Sequence, residues 1–145
     1  MNNTTFIVRA AHWPEEMAAL RLVRNRVFVE EQKVPVALEW DDKDAHALHL
    51  LALDHDNRPI GTVRLLRTGQ IGRMAVLPEW RGKGVGKALL SKLLAETRRN
   101  NDVALYLNAQ VQVVKFYAQF GFIARGELFR EAGILHQRME ISADD

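Results

Sequence analysis

The densest concentration of chemistry in this chain is Arg81-Gly82-Lys83-Gly84-Val85-Gly86-Lys87, three glycines interleaved with three cations. A strand-like run, Gln70 to Val76, leads into it, and Val85, Leu89, Leu90, Leu93 and Leu94 follow at helical spacing. A turn of this kind leaves the first N–H groups of the helix unpaired and outward-facing, while the helix dipole favours negative charge. Glycines there weaken the helix start by up to ~1 kcal/mol each relative to alanine, a cost that close approach of a pyrophosphate would explain. Two familiar phosphate motifs nevertheless fail on spacing. A dinucleotide fingerprint needs glycine three residues after Gly84, where Lys87 stands, and a P-loop needs glycine at 81 and Ser or Thr at 88, where Arg81 and Ala88 stand. A helix cap that binds nothing is the competing reading.

A second group could move protons. Glu39, Asp41, Asp42, His46 and His49 are carboxylates and imidazoles in one short stretch, groups able to accept a proton near neutral pH. His46 and His49 could also form a metal pair, but the chain has no cysteine and no clear third ligand, so no metal is expected. The acidic residues of 39–44 and the basic residues of 81–99 suit a cationic substrate and an anionic cofactor on one small domain. Two solvated faces explain the patches equally well.

The elements that must position these groups follow from periodicity and punctuation. Phe6 to Ala10 reads as a strand, and Leu20, Val23, Val27 and Phe28 make roughly 15–30 an amphipathic helix that starts at Trp13-Pro14-Glu15-Glu16. The segment 39–44 reads as a loop. Ala47 to Leu53, Ile60 to Leu66 and Gln70 to Val76, joined by tight turns, read as an antiparallel meander. After the helix at 85, which frays near Asn100-Asn101-Asp102, come a strand from Val103 to Leu107 and a helix from Val113 to Phe120 with Gly121 just past its end. Phe122 to Ala124 and Ile134 to Ile141 finish as strands. The fold class is α/β, a mixed sheet flanked by helices in the order β-α-β-β-β-α-β-α-β-β.

Composition narrows the function classes. The 145 residues, 48% hydrophobic, suffice for one core, so a single domain over 1–145 is expected. A net charge of +2 leaves no nucleic-acid footprint. No apolar run approaches the ~20 residues needed to span a bilayer, and the N-terminus lacks signal-peptide features. A cytoplasmic protein with no membrane or nucleic-acid partner is expected; a homodimer is left open. Without cysteine there is no thiolate nucleophile.

Placed after Ile71 to Val76 and Leu77-Pro78, Arg81-x-x-Gly84-x-Gly86 is similar to the acyl-CoA motif of the GNAT N-acetyltransferases. Asn108-Ala109-Gln110 ahead of Phe116-Tyr117-x-x-x-Gly121-Phe122 resembles the second half of that family's cofactor site. The run Arg24 to Pro35, with Leu107 to Gln110, looks like the bacterial ElaA/YjcF-like subgroup. The element order agrees over nearly the whole chain; the match is specific for family and says little about acceptor.

The resemblance implies the family's fold and an acetyl-CoA (or other short acyl-CoA) co-substrate whose acyl group passes to an amine, a small molecule or peptide. It implies that main-chain groups of Met74, Ala75 and Val76 hold the pantetheine arm and polarise the thioester carbonyl. The pyrophosphate would lie on Arg81, Gly82, Lys83, Gly84, Val85, Gly86 and Lys87. Asn108, which could instead cap a helix, and Phe116 would complete the cofactor site. Tyr117 matches the family's proton donor to the departing thiolate, although its helical spacing with Val113, Phe116 and Phe120 would also suit a core residue. Arg24, Phe28, Glu31 and Gln32 would border the acceptor pocket, with Arg24 and Glu31 alternatively a surface pair. Three rivals remain: an acyl-homoserine-lactone-synthase-like enzyme, an acyl-CoA-binding sensor without turnover and, more distantly, a nucleic-acid-binding module.

Overall fold

The computed structural model describes residues 4–99 and 104–141. Eight strands form one sheet in the order β1-β2-β3-β4-β5-β8-β6, with β7 paired to β8. They are β1 (Phe6–Ala11), β2 (Leu48–Asp54), β3 (Pro59–Leu65), β4 (Gln70–Val76), β5 (Leu105–Gln110), β6 (Ile123–Ala124), β7 (Phe129–Glu131) and β8 (Ile134–Ile141). All pairs are antiparallel except β4 with β5. The mixed α/β architecture is the expected one. β7 was not anticipated: three residues beside Gly133 are too short to show a period.

β2 shows why both sheet faces are covered. Its Leu50 and Ala52 belong to the main core, whereas Leu51 and Leu53 pack with Leu20 of α1 (Met17–Arg24). Alternate residues point to opposite faces, so a strand apolar at four consecutive positions, Leu50 to Leu53, must be sandwiched. On the main-core side lies α3 (Val85–Arg99), whose Val85, Leu89, Leu90, Leu93 and Leu94 form the buried stripe that the spacing predicts. Each such fully buried leucine contributes roughly 1.5–3 kcal/mol. Contact there is close enough to exclude side-chain atoms from Gly61, where a Cβ would come within 2.9 Å of Val85 Cγ1. Gly121 follows α4 (Val114–Ala118) at φ 97°, a left-handed conformation that glycine adopts without steric cost.

Three expectations need correction. The helix over 15–30 is α1 followed by a π-helical segment, Asn25–Glu31, in which the Gln32 amide reaches back five residues to the Val27 carbonyl at 3.0 Å. The acidic segment 39–44 is a loop between the end of the short α2 (Val36–Glu39) and a single turn starting at Asp44, but it is not a solvated one, because it buries two of its acids, Glu39 and Asp44. The fifth strand is Leu105–Gln110, so Asn108-Ala109-Gln110 belongs to it; the expected start at Val103 and the fraying at 100–102 lie outside the described residues.

Candidate active site

Two irregularities of β4 create the site. Thr62 of β3 pairs with Ala75 and Arg64 with Gly72, so β4 carries one extra residue at Arg73-Met74, and Arg73 takes φ 50°. This β-bulge bends the strand. On its other edge β4 pairs with β5 only at Gln70↔Tyr106 and Ile71↔Leu107. Beyond those two pairs the parallel strands run unpaired. Met74, Ala75 and Val76 therefore lie on one side of an opening whose other side is Asn108 to Gln110. Gly72 was the available sequence signal, because an isolated glycine in a strand often marks a bulge.

At the end of β4 a single turn, Pro78–Trp80, leads into the glycine segment. Gly82 and Gly84 have φ 76° and 86°, and a Cβ on either would meet nothing within 4 Å. Ala88 N–H bonds the Gly84 carbonyl at 3.0 Å, whereas Val85, Gly86 and Lys87 N–H have no backbone partner among the described residues. These are the orphan donors of a helix start. An anionic group fits here: the turn supplies free N–H groups, the positive end of the α3 dipole and open space. Phe116 of α4 stands over Gly86, where a Cβ would lie 3.6 Å from its Cζ. Lys83 donates to the Glu79 carbonyl at 3.1 Å, and Lys87 is exposed.

Arg81 is placed differently from expectation. Its guanidinium makes two bonds to Glu31, at 2.8 and 2.7 Å, and its Nε donates to the Val76 carbonyl at 3.0 Å. Glu31 thus pairs with Arg81 across the fold and not with Arg24, and that bond holds its carboxyl below the usual range. Gln32 exchanges two amide hydrogen bonds with Gln110, at 3.2 and 2.8 Å, joining the end of the π-helical segment to β5 beside the opening. Gln110 as a partner of Gln32 was not anticipated. Phe28 is half-buried against the main core. Asn108 lies within β5 opposite Arg138, so it caps no helix.

Tyr117 is buried on α4, edge-on to Phe116 and Phe122 at ring distances of 5.1 and 6.1 Å. Burial pushes its phenol well above the ordinary tyrosine value, so the group stays protonated across the working pH range. The core packing that its helical spacing with Val113, Phe116 and Phe120 suggested is what the structure shows.

The candidate bases are organised by arginines. Arg24 is fully buried, which removes it from the acceptor pocket; it bonds Glu39 at 2.7 Å, Asp44 at 3.0 Å and the Glu39 carbonyl at 3.3 Å. Arg64 bonds Asp41 and Asp44 at 2.8 and 3.0 Å, and Arg73 bonds Glu39 and Asp41 at 3.0 and 3.1 Å. Three cations therefore balance three of the four acids of the patch in an ion network, while Asp42 stays exposed. Burial raises Glu39 despite Arg73 and Arg24; it also opposes ionisation of Asp41 and Asp44, but there the arginines win and both stay low.

His49 belongs to the same network. Its Nε2 lies 2.9 Å from the Asp44 carbonyl and its ring stacks on Trp13 at 5.4 Å. It is therefore a packed structural histidine. Burial lowers its pKa, with the Asp44 contacts opposing. A depressed folded-state pKa contributes stability that is complete above the unfolded value near 6.5 and is lost as pH falls below it. The melting temperature is therefore expected to fall between pH 7 and 5, with a slope of at most about 1.4 kcal/mol per pH unit for this one proton. His49→Gln should flatten that slope in a thermal-melt series, and an unchanged slope would assign it to other groups.

The comparisons with known proteins agree with this geometry. The chain matches the acetyltransferase (GNAT) domain family over residues 11–143. It is 35% identical to Escherichia coli (strain K12) protein ElaA over 129 residues, covering 83% of this chain and 84% of ElaA. It is 33% identical to the Bacillus subtilis (strain 168) "uncharacterized N-acetyltransferase YjcF", covering 86% and 91%. Crystal structures of E. coli ElaA and of an acyl-CoA N-acyltransferase from Pseudomonas aeruginosa superpose with TM-scores of 0.83 and 0.82, each at 31% identity over 94% of this chain and 99% and 97% of theirs. With the opened β4–β5 pair and the glycine turn in place, the chain belongs to the GNAT acetyltransferase family and, with it, to the acyl-CoA-dependent N-acetyltransferases.

Proposed function

We propose that the chain moves an acetyl group from acetyl-CoA to an amine by direct attack within a ternary complex. The observation that carries this is the unpaired stretch of β4 and β5 leading straight to the orphan N–H groups of Val85, Gly86 and Lys87. In this reading those groups and the glycines bind the pyrophosphate, with Lys83 and Lys87 adding charge. The pantetheine arm follows the backbone of Met74, Ala75 and Val76, with Asn108 opposite and Phe116 beside Gly86. Phe28 and Gln32 border the acceptor.

The amine nitrogen bonds to the thioester carbonyl carbon, and the C–S bond breaks. Tyr117 gives its phenolic proton to the leaving sulfur and regains one from solvent. The ammonium proton leaves through water to solvent before the attack, and the second proton that the nitrogen loses as the amide forms leaves by the same route, because the carboxylates nearest β4 are held by arginines. Without cysteine no thioester can form on the enzyme, which favours direct transfer over a covalent relay. The acceptor is a small amine or a peptide amine, and the balanced ion network gives no support for a strongly cationic one. A cytoplasmic location and freedom from membranes fit this reading, and no helix among the described residues is long and apolar enough to span a bilayer.

The engagement of every buried carboxylate with arginine also favours a second reading, an acyl-CoA sensor without turnover. Calorimetric titration with acetyl-CoA, followed by thiol release across a panel of amines, separates the two. Binding with amine-dependent release is the expected result. Binding without release on any amine would support the sensor, and absence of binding would sink both.

A further inference from the structure

The π-helical segment has a geometric consequence for the turn. Arg26 and Glu31 are five residues apart, and i→i+5 hydrogen bonding stacks such a pair on one face. In an α-helix the same residues would project about 140° apart. From that common face Arg26 makes two bonds to Glu79, at 2.9 and 3.1 Å, and Glu31 makes two to Arg81, at 2.8 and 2.7 Å. Glu79 and Arg81 bracket Trp80 immediately before the glycines. Arg81 then reaches back to the Val76 carbonyl, the last residue of β4. Both ends of the presumed cofactor path, strand end and turn, are thereby tied to the helical wall opposite.

We infer that Arg26–Glu79 and Glu31–Arg81 form a double clamp that sets the turn in its binding-ready position, with Arg81 a positioning residue and not a phosphate ligand. This rests on the acyl-CoA reading above. A fork-to-fork arginine–carboxylate pair fixes orientation as well as distance, which a turn containing three glycines does not fix for itself. The clamp also explains why two glutamates stand beside a site for an anion, where long-range electrostatics alone would exclude them.

That conflict makes the sign of the effect decisive. Glu79→Gln and Glu31→Gln each remove a negative charge near the turn, so charge alone would tighten acetyl-CoA binding. The clamp requires the opposite. Each variant is expected to raise the calorimetric Kd for acetyl-CoA by about 2–5-fold, the range for partly exposed pairs, and the double variant by about tenfold. The swap Arg26→Glu/Glu79→Arg restores the pair in reverse and is expected to return Kd to within about twofold of wild type. Equal or tighter binding by the Glu→Gln variants overturns the clamp. If Glu79→Gln also lowers the melting temperature, the swap decides: recovery of melting without recovery of Kd counts against it. A wild type that binds no acetyl-CoA removes the functional reading first, a distinguishable failure.

Discussion

Replacing Arg24 by methionine is expected to lower the unfolding free energy by about 3–5 kcal/mol, the cost of leaving buried charge uncompensated. Arg24 is fully enclosed, bonds both Glu39 and Asp44, and lies 5.1 Å from the Trp40 ring centroid. Methionine fills part of the volume but changes the balance of the cluster to two cations against three anions. Urea denaturation would show a lower midpoint with an unchanged slope. The loss should also depend on pH. Glu39 already sits above its ordinary value, and without Arg24 one opposing group is gone. A raised folded-state carboxyl pKa contributes stability that is complete below the unfolded value and lost as pH rises through the folded one. The variant should therefore be closer to wild type at pH 5 than at pH 8, and adding Glu39→Gln should recover part of the deficit. A loss below about 1 kcal/mol would mean that water or backbone compensates the pair.

The second large effect concerns turnover. Tyr117→Phe keeps the ring that packs edge-on to Phe116 and Phe122, so folding and acetyl-CoA affinity are expected to change little. What it removes, in the mechanism proposed above, is the proton for the departing thiolate. A positioned acid is worth roughly 10²–10⁴ in rate, and a kcat reduction of that order is the expected outcome in steady-state assays. Because burial holds the phenol above its ordinary value, the wild type should show no loss of kcat attributable to Tyr117 as pH approaches about 10, where a solvent-exposed tyrosine would ionise. An unchanged kcat in Tyr117→Phe would leave the residue a core aromatic only. A large rise in Kd with unchanged kcat would make it a cofactor contact.

Both predictions concern residues that pattern alone assigned incompletely. Arg24 at helical spacing before Phe28 read as pocket-lining; its burial depends on Glu39 and Asp44 folding back from more than a dozen residues away. Tyr117 read as either acid or core; the structure shows the core packing, and the acid role is the proposal that Tyr117→Phe tests. The pairs Gln32–Gln110 and Arg26–Glu79 join residues remote in sequence, so no local periodicity could reveal them.

By itself the sequence determined most of the elements and the glycine turn before α3. Apolar alternation, the stripe from Val85 to Leu94 and the glycines at 82, 84 and 86 are local signals, because secondary structure and φ preferences act over a few residues. Only the tertiary structure decided where charge is available. Glu39, Asp41 and Asp44 became partners of Arg24, Arg64 and Arg73, and Arg81 turned to Glu31 and Val76. Ion pairing depends on distances between distant segments and on burial, which strengthens each pair and penalises each charge left alone. The opening between β4 and β5 has the same origin: a one-residue bulge is small in sequence, and its effect exists only against the neighbouring strands.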